Sequence, residues 1–416
     1  MATQLNLTGA SAVLKDWYLD PLREQMNQST PLVAELARDS EHVAGKQIIL
    51  PLHVSRSEAV GARSETGTLP TAAAQGYDRA IFNVSYLYGR IELTLPVIKA
   101  TDSDRASFIR ALESETKGMM TELKEDIDRQ LAANDEKGNG YLASVSGTST
   151  TAANVTTVPL TSEFPARFKL RVGMVVTVVD ANNAAITDAT AVTVTAVTVA
   201  GGVATEFKYA NTGSNPTTAS TSKVVRVNTH NGTTGGFELV GLAGIVKATG
   251  TLQGIDPAVQ TIWKASVASN GGTPRAISDD VLQGAADTVW LEAGTDSSDL
   301  AIVSNIFQRR KYAASLTSQK RFTNTLELKG GFSTITWNDT APFLIDKYVR
   351  NDAVYMINRK HLKIYELADY DWMDQDGAVL SRTSNKAAYE ATLYKYCQLA
   401  TDKRNAHVLV SDLSES

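Results

Sequence analysis

The side chains best suited to catalysis or metal binding are few, and they are scattered along this 416-residue sequence. The histidines are His42, His53, His230, His361 and His407. They show no HExxH pattern and no paired spacing, so a zinc site is not expected. The single cysteine, Cys397, cannot form an intrachain disulfide, and it lies in the run YKYCQL, which is typical of a small buried residue and not of a nucleophile. We therefore predict no metal site and no catalytic cysteine.

An acidic run near the C-terminus, LADYDWMDQDGAVL, resembles a calcium-binding loop because carboxylates alternate before a glycine. In the calcium-loop pattern, the glycine holds the sixth position and the strongest ligands hold the first and the twelfth. With Gly377 at the sixth position, Trp372 takes the first and Thr383 takes the twelfth. The two strongest carboxylate ligands are missing, so we expect a solvated turn and no calcium.

Signatures of phosphate binding are absent as well. Neither GxxxxGK[ST] nor a GxGxxG following a strand occurs, and the glycines of LVGLAGIV have the wrong spacing. The runs QRRKY and QKRF could touch phosphate, but acidic residues surround them in the chain, and ion pairing between subunits is an equal alternative. A net charge of -5 argues against wrapping nucleic acid, which needs clustered cations. We predict no cofactor and no tight DNA binding.

The composition is that of a folded protein with two or three domains. Hydrophobic residues make up 43% and charged residues 20%, which is enough for real cores and excludes disorder as the main state. The N-terminus lacks the pattern of a signal peptide, and no run of about 18 apolar residues occurs. We expect a chain that is neither exported nor membrane-spanning, in a reducing compartment.

The first 44 residues predict an arm of short helices with little core. Thr30 before Pro31 is a good start for a helix, and Leu32, Val33 and Leu36 give that helix one apolar stripe. Helices this short are marginal in water without packing. The arm must lie on another part of the protein.

Two strand-like runs follow, at Lys46–Val54 and Arg79–Leu95, and they predict a long two-stranded ribbon. Between them, Ser55 to Asp78 is rich in small residues, and Leu69 is almost its only large apolar residue. An isolated hairpin is at best marginally stable in water. The ribbon with its soft tip therefore implies a partner.

A long helix is predicted from Thr101 to Asn134. Sixteen of the 36 residues between Asp102 and Lys137 are charged, so the apolar side is a stripe and the other faces are wet or meet polar partners. The apolar positions recur at helical spacing. They are Phe108, Leu112, Met119, Leu123, Ile127 and Leu131.

The composition then changes, because only ten of the 86 residues from Tyr141 to Arg226 are charged. Alternating Thr, Val and Ala predict several short strands separated by Gly, Asn and Ser turns. We interpret residues 145–230 as a small antiparallel β-domain inserted into a different fold. After it, a helix at Asp279–Glu292, a strand from Leu300, a helix through Arg310 and several late strands indicate an α+β protein.

An arm, a ribbon and a long helix all lack enough local core, and contacts with other copies of the chain would supply it. The order of these features resembles the major capsid protein of tailed bacteriophages, which has the Hong Kong 97 capsid fold. The resemblance is carried by GKQIILPL, by SYLYGRIELTLPVIKATDSD, by GLAGIVKATGTLQGIDPAVQTIWKASV and by the closing DGAVLSRTSNKAAYE and HVLV. It covers nearly the whole chain apart from the β-rich segment.

The resemblance implies a division of the chain. It makes 1–44 the N-terminal arm, 45–96 the extended loop, 97–144 the peripheral domain with the spine helix, 145–230 the inserted β-domain, 231–350 mainly the axial domain, and 351–416 the strands that close the peripheral and axial domains. The expected assembly contacts of the extended loop are Arg56, Glu58, Arg63, Glu65, Leu69, Arg79, Arg90 and Glu92. The spine helix is expected to pack through Phe108, Leu112, Met119, Leu123 and Ile127.

The resemblance also implies partners and a location. The chain would form pentamers and hexamers of an icosahedral virion shell, assembled in the bacterial cytoplasm with a portal, a separate scaffolding protein and in some cases a decoration protein. DNA would be enclosed without sequence recognition, and no membrane is involved. Some members cross-link through a lysine of the extended loop, but no lysine lies between Gln47 and Ile98. We therefore expect a shell without covalent cross-links.

Other interpretations stay open. An encapsulin-type cellular compartment shares the fold, although it would be shorter and normally lacks a large inserted β-domain. A β-rich adhesin or tail protein would explain the inserted segment but not the long helix. An enzyme with a site scattered in sequence is a further alternative.

Overall fold

The computed structural model describes residues 29–40, 43, 47–96, 105–161, 165–230, 235–294, 297–317, 336–338, 340–374, 381–383 and 386–414. Within the long helix, the side chains are described from Glu115 onward. Among the described residues, no helix combines the length and the apolar character needed to cross a bilayer.

The described helices include four that the sequence predicts, one of which is the arm helix that begins after Thr30. The long helix is confirmed, and so are the helices predicted at Asp279–Glu292 and through Arg310. The helix Asp279–Ala293 begins after Ser278, whose side chain accepts a hydrogen bond from Val281 N. It ends at Gly294, whose φ of 62° is left-handed. The helices are α1 Pro31–Glu35, α2 Arg105–Ala133, α3 Ala166–Lys169, α4 Leu242–Ile245, α5 Asp279–Ala293 and α6 Ile306–Thr317.

The strands of the described residues form four sheets, which confirms the α+β class. In chain order the strands are β1 Ala37–Asp39, β2 Gln47–Ser55, β3 Gly76–Asn83, β4 Ser85–Thr94, β5 Tyr141–Ser144, β6 Thr150–Ala152, β7 Val155–Pro159, β8 Val175–Val179, β9 Val192–Ala200, β10 Val203–Ala210, β11 Lys223–Arg226, β12 Ser266–Ala268, β13 Leu300–Ser304, β14 Thr336–Trp337, β15 Ala341–Ile345, β16 Val354–Asn358, β17 Leu362–Trp372, β18 Ser381–Arg382, β19 Ala388–Thr401 and β20 Val408–Val410.

A five-stranded sheet is built around the long strand β19. β19 pairs with β17 and β18 along one edge and with β4 along the other, and β1 adds a parallel edge strand to β17. Leu87 and Leu393 of this sheet share one core with Leu123 and Ile127 of α2. The described part of the arm lies on the same core, because Leu32 of α1 is fully buried there. For these residues, the expectation that the arm packs on another part of the chain is confirmed.

The extended hairpin is shorter than the ribbon that the sequence predicts. β2 pairs with β3 from Gln47↔Asn83 to Ser55↔Gly76, so the hairpin spans 47–83. The single strand predicted over Arg79–Leu95 is two strands separated at Val84, because β4 leaves the hairpin and pairs with β19. At its base, the hairpin is held by a small core that joins Ile48 and Phe82 to Tyr365.

The Thr- and Val-rich segment forms a separate β-structure, which we call the barrel, from β5 to β11. Its strand order is β5-β11-β8-β9-β10-β7-β6, and a bridge between Val145 and Leu160 returns β7 to β5, so that the sheet closes on itself. The barrel has its own core, which includes Phe207, Val178 and Val224. The predicted β-domain began at residue 145. The structure begins it at Tyr141, because β5 pairs with β11.

A six-stranded mixed sheet has the order β12-β20-β16-β13-β15-β14. All five residues of β13 are buried, which explains its continuous apolar run, and α5 and α6 contribute Leu282 and Tyr312 to the same core. The chain from Val354 onward supplies strands to this sheet and to the five-stranded sheet, because β16 and β20 belong to the former and β17 and β19 to the latter.

Candidate assembly surfaces and the junction on the long helix

The tip of the extended hairpin, residues 56–75, contains no strand and builds no core of its own. Its conformation depends on local polar contacts: the Gln75 side chain accepts a hydrogen bond from Ser57 N, and Ser57 Oγ donates to the carbonyl of Ala73. Val60 and Leu69 are each 81% exposed, which is unusual for large apolar side chains. The expected contact residues of the tip, all of which are exposed, are Arg56, Glu58, Arg63, Glu65 and Leu69.

The structure separates the other expected contact residues from the tip. Arg79 is exposed on β3, within the hairpin. Arg90 and Glu92 instead lie on β4, in the five-stranded sheet, where Arg90 pairs with Glu390 and Glu92 lies 3.3 Å from Lys386 Nζ. These two residues lie outside the hairpin and already have partners in their own chain, and their role as assembly contacts stays a prediction.

The outer face of the five-stranded sheet carries a cluster of tyrosines that the sequence analysis did not single out. Tyr86 and Tyr88 of β4 alternate with buried residues, and Tyr394 and Tyr396 face them from β19. Tyr88 and Tyr396 hydroxyls are 3.2 Å apart, and this hydrogen bond raises the pKa of Tyr88 to about 12. Tyr86 remains 56% exposed. The alternating tyrosines of SYLY and LYKYC are the sequence signal for this face.

The inner face of the same sheet touches the long helix at very short range. Gly89 of β4 lies against Met119 of α2, and a Cβ at position 89 would approach the Met119 sulfur to 2.6 Å. Leu123 and Ile127 continue this contact into the buried core. Leu131 is also fully buried. The two other predicted packing residues, Phe108 and Leu112, lie outside the residues whose side chains the structure describes.

The C-terminal half of α2 is buried on its polar side as well, and its charged residues meet partners from distant segments. Glu125 Oε1 accepts hydrogen bonds from Arg171 of the barrel, from Lys347 after β15 and from the Tyr348 hydroxyl. Burial opposes ionisation of Glu125, but the adjacent Lys347 and Arg171 outweigh it and hold the carboxyl pKa below its ordinary value. One carboxylate therefore joins three parts of the fold.

A second set of charges on α2 consists of Asp126, directly after Glu125, and Arg129, about one turn later. Asp126 accepts from Arg129 Nε and pairs with Arg226 of β11, at 2.9 and 3.1 Å. Arg129 is almost fully buried and also donates to Glu238, 2.8 Å away, and Asn134 donates to the same carboxylate oxygen. These ion pairs attach the C-terminal end of the barrel, and the segment that follows it, to the long helix.

His407 and Cys397, two of the side chains with possible catalytic chemistry, are buried inside the fold. The buried His407 accepts a hydrogen bond from Asn358 N, and burial lowers its pKa to about 3, so its ring is neutral. Cys397 is buried, as expected, and burial raises the pKa of its thiol to about 12. Within the described ranges, no group of three or more His, Cys, Asp or Glu side chains is placed to hold a metal ion.

The acidic run expected to be a solvated turn is partly strand. Asp369 and Asp371 lie in β17, because this strand continues to Trp372 in its pairing with β19. Asp369 accepts a hydrogen bond from the buried Lys395 at 2.8 Å. Asp376 and Gly377 lie outside the described residues.

Comparisons with known proteins identify the architecture. No protein-family model matches the sequence, and no curated protein matches it. Among solved structures, the chain is similar to the capsid asymmetric unit of cyanophage A-1(L), with 14% identity, a TM-score of 0.59, and 98% of this chain and 99% of that chain covered. It is also similar to the capsid of an empty GTA particle, with 10% identity, a TM-score of 0.51 and full coverage of both chains.

The chain has a Hong Kong 97-type capsid fold. Both similarities extend over nearly the whole chain. At these identities the likeness establishes the fold and not the type of shell. The chain is also similar to an encapsulin complex of Synechococcus elongatus PCC 7942, with 9% identity, a TM-score of 0.46, and 100% of this chain and 98% of that chain covered. That the barrel is an insertion into the capsid fold stays a prediction.

Proposed function

We propose that this chain is the major shell subunit of a phage head, which assembles into pentamers and hexamers around double-stranded DNA. The role is structural and not catalytic. The observation that carries the proposal is the extended hairpin: in a chain with a capsid fold, residues 56–75 project without a core and expose Val60 and Leu69. Such a tip gains stability only when another copy covers it.

The tip would lie on a neighbouring subunit, and many weak contacts would add up over a closed shell. Covering one large apolar side chain contributes about 2 kcal/mol, which is too little to hold two free subunits together. Repeated around a ring, the same contact acts at high effective concentration and becomes decisive. The shell would be held without covalent cross-links, because residues 47–96 contain no lysine.

The proposal includes the other proteins with which a phage capsid subunit assembles. A portal, a separate scaffolding protein and a decoration protein would act with the shell, and the barrel would project outward or brace neighbouring subunits. The net charge of -5 suits a container that encloses DNA without binding it tightly. The finished particle is the virion head, assembled in the bacterial cytoplasm.

Electron microscopy and sedimentation of the purified protein, with and without its scaffolding protein, test the assembly. We expect closed particles from the wild-type chain. A variant in which residues 57–74 are replaced by a short glycine-asparagine turn should keep its fold by circular dichroism and sediment as small oligomers. Particles of normal size from this variant would contradict the role of the tip.

The contents of native particles distinguish the type of shell. Double-stranded DNA inside the particle supports a phage head, whereas a protein cargo without DNA favours an encapsulin-type compartment. A chain that forms only soluble monomers or trimers, with scaffolding protein present, favours an adhesin or tail protein.

A further inference from the structure

Two buried carboxyl groups meet where the arm lies on the long helix. Asp128 of α2 is fully buried, and its Oδ1 accepts hydrogen bonds from Leu32 N and Val33 N at 3.0 and 3.1 Å. These amides belong to the first turn of α1, so Asp128 caps this helix from a distant segment. Asp346, directly after β15, is 1% exposed, and its Oδ1 accepts from Tyr348 N at 2.7 Å.

The remaining oxygen of each carboxyl group is buried without a partner other than the opposite carboxyl. Asp128 Oδ2 and Asp346 Oδ2 are both shielded from solvent and lack any other hydrogen bond, while the two side chains lie within hydrogen-bonding reach of each other. Two ionised carboxylates cannot share such a site, because their repulsion is not screened by water. With one proton between them, the protonated carboxyl group donates a hydrogen bond and the ionised carboxylate accepts it.

We propose that Asp128 and Asp346 share one proton and form a pH-dependent clasp, which holds the arm helix α1 on the long helix. The clasp joins three segments, because Asp128 belongs to α2, its backbone donors belong to α1, and Asp346 follows β15 of the six-stranded sheet. It is a property of the folded subunit, so it does not depend on the shell function proposed above.

The charged groups around the pair act on its two members unequally. Lys347 and Lys169 of α3 face Asp346 and favour its ionised form, so Asp346 is the better anion. Asp128 faces backbone amides of α1 and the Asp346 carboxyl.

The only acid of α1, Glu35, pairs with Arg359, and α1 has no basic residue. Glu125, one turn earlier on α2, is occupied by Lys347, Arg171 and Tyr348. The proton is therefore expected on Asp128.

The protonation states support this arrangement. Burial and the charge of Asp346 raise the pKa of Asp128 to about 8, and burial raises the pKa of Asp346 to about 6. Both values exceed the value of about 4 for an exposed aspartate. The clasped state therefore binds more protons than the opened state, and its stability falls as pH rises from about 4 to about 8. Acidification tightens the arm, and mild alkali releases it.

Asparagine substitutions test the shared proton directly. In D346N the introduced amide can donate to Asp128 Oδ2. In D128N the introduced amide can donate to Asp346 Oδ2, while its oxygen still caps α1. Each single variant replaces the proton by a permanent N–H donor. In the double variant two NH₂ groups face each other, so both donors lose their acceptor.

Hydrogen exchange of the full-length protein provides the measurement. Protection of residues 29–36, corrected for the intrinsic exchange rate, is followed by mass spectrometry at pH 6.5 and 8.5. We expect wild-type protection to fall about tenfold or more over these two pH values, since one bound proton corresponds to a factor of ten per pH unit. D346N and D128N should each change less than about threefold, and the double variant should be weakly protected at both pH values.

The controls separate the clasp from a general effect of pH. The exposed carboxylate variant D256N should follow the wild-type profile, and peptides from the barrel strand Val175–Val179 should stay protected at both pH values. The clasp is wrong if both single variants lose protection with pH as the wild type does, or if the double variant is as protected as the single ones. Because two single variants carry the same expectation, failure of one to fold still leaves the test decisive.

Discussion

Arg171 Nη2 lies 2.9 Å from Glu125 Oε1, and this ion pair ties the barrel to the long helix. The same carboxylate oxygen accepts from Lys347 and from Tyr348, so the barrel, the helix and the segment after β15 share a single anion. Glu125 is almost fully buried. A buried anion with several donors is costly to disrupt, because Lys347, whose side chain is only 12% exposed, is left without its counter-charge.

Neutralising Glu125 should therefore destabilise the subunit. We expect E125Q to lower the free energy of unfolding by about 3 kcal/mol, measured by urea denaturation. The matched control is E122Q, one turn earlier on the exposed side of α2, which should stay within about 0.5 kcal/mol of the wild type. Equal effects of the two substitutions would show that the ion pairs of Glu125 do not stabilise the subunit.

The pH dependence of this ion pair has the sign opposite to that of the clasp. The pKa of Glu125 is lower in the folded protein than its ordinary value. Its stabilising contribution is thus fully present above the pKa of the unfolded chain, about 4.3, and is lost as pH falls through the folded value. In urea titrations below pH 5, the wild type should lose stability towards the level of E125Q. A constant difference between the two proteins down to pH 3 would contradict this.

The contact between Gly89 and Met119 predicts that a single methyl group on β4 is disruptive. G89A places a Cβ 2.6 Å from the Met119 sulfur, so the long helix or the methionine must move. We expect a loss of about 1 to 3 kcal/mol in unfolding free energy. The double variant G89A/M119A should be more stable than the sum of the two single effects predicts, because the smaller side chain removes the clash.

A glycine on the long helix itself is the matched control for that experiment. A Cβ at Gly118 meets no atom within 4 Å. G118A should therefore stabilise the protein by up to about 1 kcal/mol through helix propensity alone. If G89A were as harmless as G118A, the sheet and the helix would not be in close contact at this point.

Arg404 is a buried cation whose hydrogen-bond partners, among the described residues, are backbone carbonyls. Its guanidinium donates to the carbonyls of Ile245, Gly244, Gly250 and Thr249, which fixes α4 and the turn after it. Burial lowers the pKa of Arg404 to about 10. Lysine keeps the charge but cannot reach several carbonyls in the fork geometry of arginine. R404K should cost about 3 kcal/mol in thermal or urea unfolding, whereas R350K, at an exposed arginine, should cost less than about 0.5 kcal/mol.

The sequence predicted elements well where the pattern is local. The long helix has clear periodicity, α5 also has a good cap at Ser278, and both helices are confirmed. The break at Val84 was missed, because GYDRAIFNVSYLYGRIELT is β-like throughout and only the pairing of β4 with β19 divides it. That pairing joins residues about 300 positions apart, such as Arg90 and Glu390.

The partners of Glu125 and Asp128 could not be predicted from the sequence, for a related reason. Charged residues on α2 suggested wet faces or polar partners, and the partners of Glu125 lie 46 and 222 residues away in the chain. Asp128 looks like any other solvated helix position until α1 is placed over it, 95 residues earlier. By contrast, the exposed character of the hairpin tip could be predicted, because Ser55 to Asp78 has nothing with which to build a core.

Point substitutions on the tip should separate assembly from folding. V60S/L69S removes two large side chains that are each 81% exposed in the subunit, so the free energy of unfolding should change by less than about 0.5 kcal/mol. If a neighbour covers both, each contact loses about 2 kcal/mol, and the protein concentration needed for assembly, measured by light scattering, should rise more than tenfold. V172S/V259S, at two other exposed valines, is the matched control and should assemble as the wild type does. If both double variants assembled equally well, the tip would not be a shell contact. Side chains that stay exposed in the subunit and in the shell contribute neither to folding nor to assembly.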